Sequence, residues 1–229
     1  MLMDYIQEKQ KQLKSKSMDF YTPTGLHVYM QQPVDGVDVE EVIHKMETVL
    51  PQHFRDEIEM IIFGWFDEFE ERNINAFYND NAIYVSHLQD DAADLYDDLI
   101  HEIAHSLEEA YGYEIYADED IKDEFLRKRK YLHDVLWKLG YRAPLSFFED
   151  IEFNQEFDDF LYKKIGYDKL SVIMSGMFIS PYAATSLREY FATAFTEYFL
   201  DSNHEVLKKV SPAAFYKINM LKDMKELDF

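Results

Sequence analysis

The chain has 229 residues, of which 47% are hydrophobic and 16% aromatic, a composition that can bury one sizeable core and is far from that of a disordered protein. It has no cysteine, which excludes disulfides, a thiolate zinc site and a cysteine nucleophile. Its net charge of −22 argues against a general nucleic-acid binder and favours basic partners.

The beginning of the chain, residues 1–20, is predicted to form a polar helical arm, a basic start in an acidic protein. No run of 18 apolar residues is present, so no membrane-spanning segment is expected. The N-terminus lacks the basic-then-apolar pattern of a secretory signal. The chain as written is therefore expected to be cytoplasmic, with a removed signal or secretion by another route left open.

Two strands and a helix are predicted next. Residues 26–31 follow a Thr-Pro-Thr-Gly breaker and have the composition of a strand. Asp38 is expected to cap a helix that ends at about Leu50, because Pro51 follows. Residues 58–63 are predicted to form a second, strongly apolar strand.

A small sheet is expected to end just before a long helix. Residues 64–81 give no clear prediction apart from a turn at 79–81. Residues 82–86 read as a short strand, and a helix begins at Ala92. We expect 82–86 to be the edge strand of the sheet, able to pair with an extended peptide.

The helix that begins at Ala92 carries the sequence His101-Glu102-Ile103-Ala104-His105. With 3.6 residues per turn, the two histidines share one face and can share a zinc ion. Glu102 projects from nearly the same side, where it could take a proton from a zinc-bound water. The motif predicts a metal-dependent peptidase. The plain alternative is two solvent-facing histidines on an ordinary helix.

The chain beyond Gly112 is predicted to be mostly helical, with glycines as the usual stops. The predicted helices cover about 119–139, 146–165, 168–175 and 184–201, and a last one starts at Pro212. The basic cluster Arg127-Lys128-Arg129-Lys130 interrupts the acidic trend. It is expected to be a solvated helix face, with docking of an acidic partner as the alternative.

A catalytic zinc site needs a third protein ligand and an open position for water. The metzincin frame fails, because Glu108 and Tyr111 occupy the places of its glycine and third histidine. Two later glutamates are candidates. Glu124 lies in a charged segment that resembles an exposed helix, whereas Glu189 opens an apolar run in which an isolated acid needs a partner. Glu189 is the preferred ligand.

The segments around His101 and Glu189 resemble a known group of gluzincin-type zinc peptidases, formed by the anthrax lethal factor catalytic domain and the Pro-Pro endopeptidases. That family places its third zinc ligand before a Phe-Phe-Ala-Glu-Ser/Ala-Phe run, and here Glu189 precedes Tyr-Phe-Ala-Thr-Ala-Phe. The family also has a tyrosine seven residues before this ligand, which stabilises the transition state, and Tyr182 stands there. Thr193 replaces the family's second Glu, so support of the zinc site must come from elsewhere.

The resemblance implies one Zn²⁺ per chain, held by His101, His105 and Glu189, with Glu102 as general base and Tyr182 as the oxyanion donor. The implied fold is α+β: a zincin-like single domain over residues 21–229, with a small mixed β-sheet beside the HExxH helix and a mostly helical C-terminal half.

A helical insertion is expected at about 120–175, since the stretch between the two histidines and Glu189 is longer than the resemblance implies. The expected function is a zinc-dependent endopeptidase that hydrolyses an extended segment of a protein, and the net charge favours basic substrates. The alternative is a non-catalytic acidic module that binds a protein or mimics nucleic acid and has no use for metal. The oligomeric state and the cleavage preference stay open.

Overall fold

The computed structural model describes residues 18–72 and 74–224. The chain divides into two compact units, and the boundary between Ser106 and Leu107 lies inside one continuous helix. Residues 1–17 of the predicted N-terminal arm lie outside the described residues. The predicted boundary at residue 20 is wrong, because a β-strand already begins at Asp19.

The first unit contains a five-stranded mixed sheet with the strand order β1-β2-β3-β5-β4. Strands β2, β3 and β5 are parallel, whereas β1 and β4 run antiparallel to their neighbours at the two edges. The strands are β1 (Asp19–Tyr21), β2 (His27–Met30), β3 (Met60–Gly64), β4 (Ala76–Asn79) and β5 (Ala82–Ser86). The α+β class and the mixed sheet agree with the prediction.

Strand β5 has the predicted bounds, but it is not an edge strand. It pairs with β3 on one side and with β4 on the other, so β4 forms that edge of the sheet. A two-residue turn joins β4 to β5, and its residues Asp80 and Asn81 have positive φ angles of 47° and 61°. Asp and Asn tolerate this conformation well, and two such residues close a tight hairpin. The predicted turn was therefore correct, and the strand preceding it was missed.

The core of the first unit follows the period-two pattern of its strands. The inward side chains of the three central strands are fully buried, namely Val28, Ile61, Phe63, Ile83 and Val85. Helix α1 (Val39–Val49) begins as predicted, because the Asp38 side chain accepts a hydrogen bond from the Glu41 backbone N–H at 3.1 Å. A 3₁₀ turn, Gln52–Phe54, follows it, and the remaining α-helices that start in this unit are α2 (Asp67–Arg72) and α3 (Ala92–Tyr116), which continues across the boundary.

The second unit is helical in its described part. Its further helices are α4 (Asp120–Lys138), α5 (Ser146–Glu149), α6 (Gln155–Asp159), α7 (Tyr167–Ile173), α8 (Leu187–Leu200), α9 (Glu205–Val210) and α10 (Pro212–Asp223). The single helix predicted over 146–165 is instead α5, α6 and a π-helical turn, Phe160–Ile165. The break arises because the Asn154 side chain accepts from the Phe157 backbone N–H at 3.0 Å and starts a new helix.

The basic cluster on α4 is not a solvated face throughout. Arg129 is fully buried, and its guanidinium donates to the carbonyl oxygens of Thr185, at 3.2 Å, and Phe147. The Lys128 ammonium donates to the Tyr190 hydroxyl and to the Val210 carbonyl oxygen. These two cations satisfy buried acceptors inside the second unit. Arg127 and Lys130 are the exposed members of the cluster.

Among the described helices, none is long and apolar enough to cross a membrane.

Candidate metal centre

The HExxH motif lies in the middle of α3, as predicted. The helix is capped by the Asp91 carboxylate, which accepts from the backbone N–H groups of Ala93 at 2.7 Å and Asp94 at 3.0 Å. His101 and His105 are half-buried on the same face, with ring centroids 5.0 Å apart and ring planes inclined by 78°. Neither imidazole faces the solvent fully, so the alternative of two solvent-facing histidines on an ordinary helix is wrong.

Glu102 is held by the edge of the sheet. Its side chain is only 7% exposed, and Oε2 accepts a hydrogen bond from the Tyr78 backbone N–H at 2.8 Å. In an antiparallel pair, the backbone N–H and C=O groups of every second residue point away from the partner strand. Tyr78 is such a residue, because its N–H points away from β5 and donates to Glu102. One carboxylate oxygen is thus fixed by β4, which orients the other.

Glu189 lies in the first turn of α8. The Ser186 side chain caps this helix, because its Oγ accepts from the Glu189 backbone N–H at 3.1 Å. The following residues Tyr190 and Phe191 are buried, while Glu189 itself is half-buried. The helix that was predicted from the apolar run is present, and its cap sets the position of the glutamate.

The two histidines and Glu189 form a group that could hold a metal ion. One ligand atom from each of His101, His105 and Glu189 lies within 4.8 Å of the other two. Within residues 18–72 and 74–224, this is the one group of three or more such side chains with that spacing. Two imidazole nitrogens and one carboxylate oxygen are the ligand set of many catalytic zinc sites, and three protein ligands leave a position for water. The donor chemistry therefore fits Zn²⁺.

A half-buried carboxylate, that of Asp98, lies one turn before Glu102. Burial raises the pKa of Asp98 to about 7, opposed by a hydrogen bond from the Gln89 side-chain amide and reinforced by nearby carboxylates, including that of Glu102. The Gln89 Nε2 atom donates to Asp98 Oδ2 at 3.3 Å. This bond accounts for one of the two Asp98 carboxylate oxygens.

Tyr182 begins a single turn of 3₁₀-helix, Tyr182–Ala184, that leads into α8. Its carbonyl oxygen accepts from the Thr185 backbone N–H at 2.9 Å and from the Thr185 hydroxyl at 2.8 Å. The residue is half-buried, and its backbone is fixed relative to Glu189 by this turn and by the Ser186 cap.

Glu124, the alternative third ligand, is committed elsewhere. It is 3% exposed, so the expectation of an exposed charged helix was wrong at this position. Its carboxylate accepts from the Tyr190 hydroxyl at 2.7 Å and from the Ala213 backbone N–H at 3.1 Å, and the Lys128 ammonium lies 3.9 Å away. It is an internal anchor of the second unit.

None of the remaining described histidines belongs to such a group. His44 is exposed, and others pack against neighbouring side chains. His27 bonds Asp19 and stacks on Tyr21, and His204 stacks on Tyr198 with ring centroids 4.2 Å apart.

Two contacts near the motif had no sequence signal. The donor to Glu102 is a backbone N–H, and the Arg188–Glu108 ion pair joins residues 80 positions apart.

Comparison with known proteins finds no matching family model, no curated relative and no solved structure.

Proposed function

We propose that the protein is a zinc-dependent endopeptidase, with His101, His105 and Glu189 as the metal ligands. The observation that supports this proposal is the grouping of these three side chains within 4.8 Å, next to a carboxylate that follows the first histidine in sequence. Bound Zn²⁺ would lower the pKa of a water molecule toward about 7 and polarise the carbonyl of a peptide bond.

Glu102 serves as the general base. The Tyr78 N–H holds Oε2, so that Oε1 is the oxygen available to accept the proton of the attacking water. The same carboxyl then delivers that proton to the leaving amine. Because the side chain is almost fully buried, its orientation is maintained without a rotamer search during the reaction.

Tyr182 donates a hydrogen bond to the carbonyl oxygen as negative charge develops there. The half-buried phenol sits on a fixed turn, which limits the reorganisation needed in the transition state. This role comes from the family resemblance and from the spacing of seven residues to Glu189.

The substrate is an extended protein segment that pairs with the edge strand β4. The backbone of Ala76 faces away from β5, as that of Tyr78 does, and because the Tyr78 N–H is bonded to Glu102, the peptide pairs with the backbone of Ala76. A peptide that adds to this edge lies beside Glu102, because β4 and Glu102 are joined by a hydrogen bond. The net charge of −22 favours basic substrates.

The test has two stages. First, bound zinc per chain is measured by elemental analysis after dialysis against zinc, for the wild type, Glu189→Gln and the matched control Glu205→Gln. Glu205 is an exposed glutamate of α9 paired with Lys208, so its change should not affect the metal. Second, a peptide library is incubated with the zinc-loaded wild type and Glu102→Gln, and products are identified by mass spectrometry.

We expect one zinc per chain in the wild type and in Glu205→Gln, and loss of zinc in Glu189→Gln. Glu102→Gln should keep zinc and lose cleavage. A wild type that binds no zinc contradicts the proposal. A wild type that binds zinc and cleaves nothing in a broad library leaves a non-catalytic binding protein as the better account.

A further inference from the structure

A buried carboxylate with two partners lies close to Glu189 and has no role in the mechanism above. Glu108 has a side chain that is only 8% exposed, and both of its oxygens are bonded. Arg188 Nε donates to Oε2 at 2.6 Å, and the Tyr116 hydroxyl donates to Oε1. A buried charge is stable only with such partners, so the arrangement is specific.

The three residues occupy positions that matter for the ligands. Arg188 immediately precedes Glu189 in the first turn of α8, and Glu108 follows His105 by three residues on α3. Tyr116 is the last residue of α3, beyond a kink where the backbone of Tyr111 leaves the helical region (φ −121°, ψ 17°).

Electrostatics place Glu189 within reach of the same cluster. Burial, and then the charge of Glu108, raise the pKa of the Tyr116 phenol, and Glu189 contributes in the same direction. Arg188 immediately precedes Glu189, and its Nε is bonded to the Glu108 carboxylate at 2.6 Å. Glu189 therefore follows an arginine whose side-chain direction is set by Glu108.

We propose that Glu108, Tyr116 and Arg188 form a brace that positions Glu189 for metal binding. The inference rests on the proposed function. Partners that orient a ligand without touching the metal typically change metal affinity 10–100-fold. Here the hydrogen-bonded ion pair with Glu108 fixes the Arg188 side chain. This restrains the first turn of α8 and with it the backbone from which Glu189 projects.

A purely structural role predicts a different result. The Arg188 side chain is 59% exposed but that of Glu108 is buried, so Arg188→Ala removes the cation paired with a buried carboxylate and should lower the unfolding temperature on either reading. For a purely structural role, that is the whole effect. Loss of the pair should then change neither zinc affinity nor the metal environment. The two readings separate because only positioning affects the metal.

The experiment measures the zinc dissociation constant by competition with a chromophoric chelator for the wild type, Arg188→Ala, Arg188→Lys and Tyr116→Phe. Two matched controls are Lys163→Ala, which removes an exposed ion pair with Asp159 at 2.8 Å, and Tyr198→Phe, which removes a hydroxyl bonded to Asn219 at 3.2 Å. The visible spectrum of bound Co²⁺ reports the coordination geometry, and the unfolding temperature of the metal-free proteins reports the fold.

We expect zinc binding by the folded protein to weaken about 10–100-fold in Arg188→Ala and about 10-fold in Tyr116→Phe, with a changed Co²⁺ spectrum. The unfolding temperature should fall in Arg188→Ala, because the buried Glu108 loses its cation, and change less in Tyr116→Phe. Arg188→Lys should recover part of the affinity, and the two controls should bind as the wild type does. Equal zinc affinity in the wild type and the brace variants overturns the brace alone. A wild type that binds no zinc overturns the proposed function, and the brace with it.

Discussion

Replacing Asp98 by Asn should stabilise the metal-free protein at neutral and higher pH. Burial raises the pKa of this carboxyl from its ordinary 3.8 to about 7. A raised carboxyl pKa means that the native state binds the proton more tightly than the unfolded chain does, so its contribution to stability is lost as pH rises from about 4 to about 7. The difference between the two values corresponds to at most about 4 kcal/mol at high pH. Because Asp98 is only half-buried, solvent screens part of this effect, and we expect about half of that ceiling, ~2 kcal/mol.

Urea unfolding in the presence of a chelator measures this effect at about pH 4.5 and about pH 8. The stability difference between Asp98→Asn and the wild type should increase by about 2 kcal/mol from the lower to the higher pH. Asp123→Asn, on the exposed surface of α4, is the matched control and should give nearly the same difference at both values. A difference for Asp98→Asn that does not depend on pH would refute the assignment of a buried, proton-binding carboxyl at this position.

Three further predictions test the fold and the site. Glu124→Gln should lower the free energy of unfolding by about 3 kcal/mol, since it leaves the buried Lys128 without its compensating charge. The control Glu205→Gln should change the free energy of unfolding by less than about 0.5 kcal/mol. Urea unfolding at neutral pH measures both. Glu102→Gln should lower the rate of peptide hydrolysis about 10²–10⁴-fold at unchanged zinc content, and a loss of zinc instead would assign Glu102 to the metal site. Asn81→Val should lower the free energy of unfolding by about 1–2 kcal/mol, because a β-branched residue resists the φ of 61°. Asn81→Gly should leave the stability unchanged or raise it. An unfolding temperature that is higher for Asn81→Val than for Asn81→Gly would contradict the turn geometry.

The features that could be predicted from the sequence are those encoded within one or two turns of chain. Asp38 caps α1 through a hydrogen bond to a residue three positions away, and the apolar strand β5 is bounded by a turn and a loop. The HExxH motif is likewise local, because its two histidines need only a helix to share a face. Glu189 could be singled out since it opens an apolar run in which a carboxylate needs a partner.

The features that were missed depend on partners far away in the chain. Glu124 reads as exposed because its neighbours are charged, but its partners Tyr190 and Ala213 lie 66 and 89 positions further on. The buried Arg129 is a similar case, since its acceptor at Thr185 is 56 positions away. Charge alone predicts solvent exposure, and only the packed helices show where a buried charge finds its hydrogen bonds.

The hydrogen bond to Glu102 illustrates a different limit. Its donor is the backbone N–H of Tyr78, a group that every residue except proline carries, so no choice of side chain could reveal it. What decides the contact is the register of the hairpin, because the pairing Asn79↔Ala82 beside the two-residue turn directs the Tyr78 N–H away from β5. A shift of the turn by one residue would reverse that direction and leave the carboxylate without its donor. The orientation of the proposed general base is thus determined by the Asp80-Asn81 turn, which ends 20 residues before the motif that identifies it.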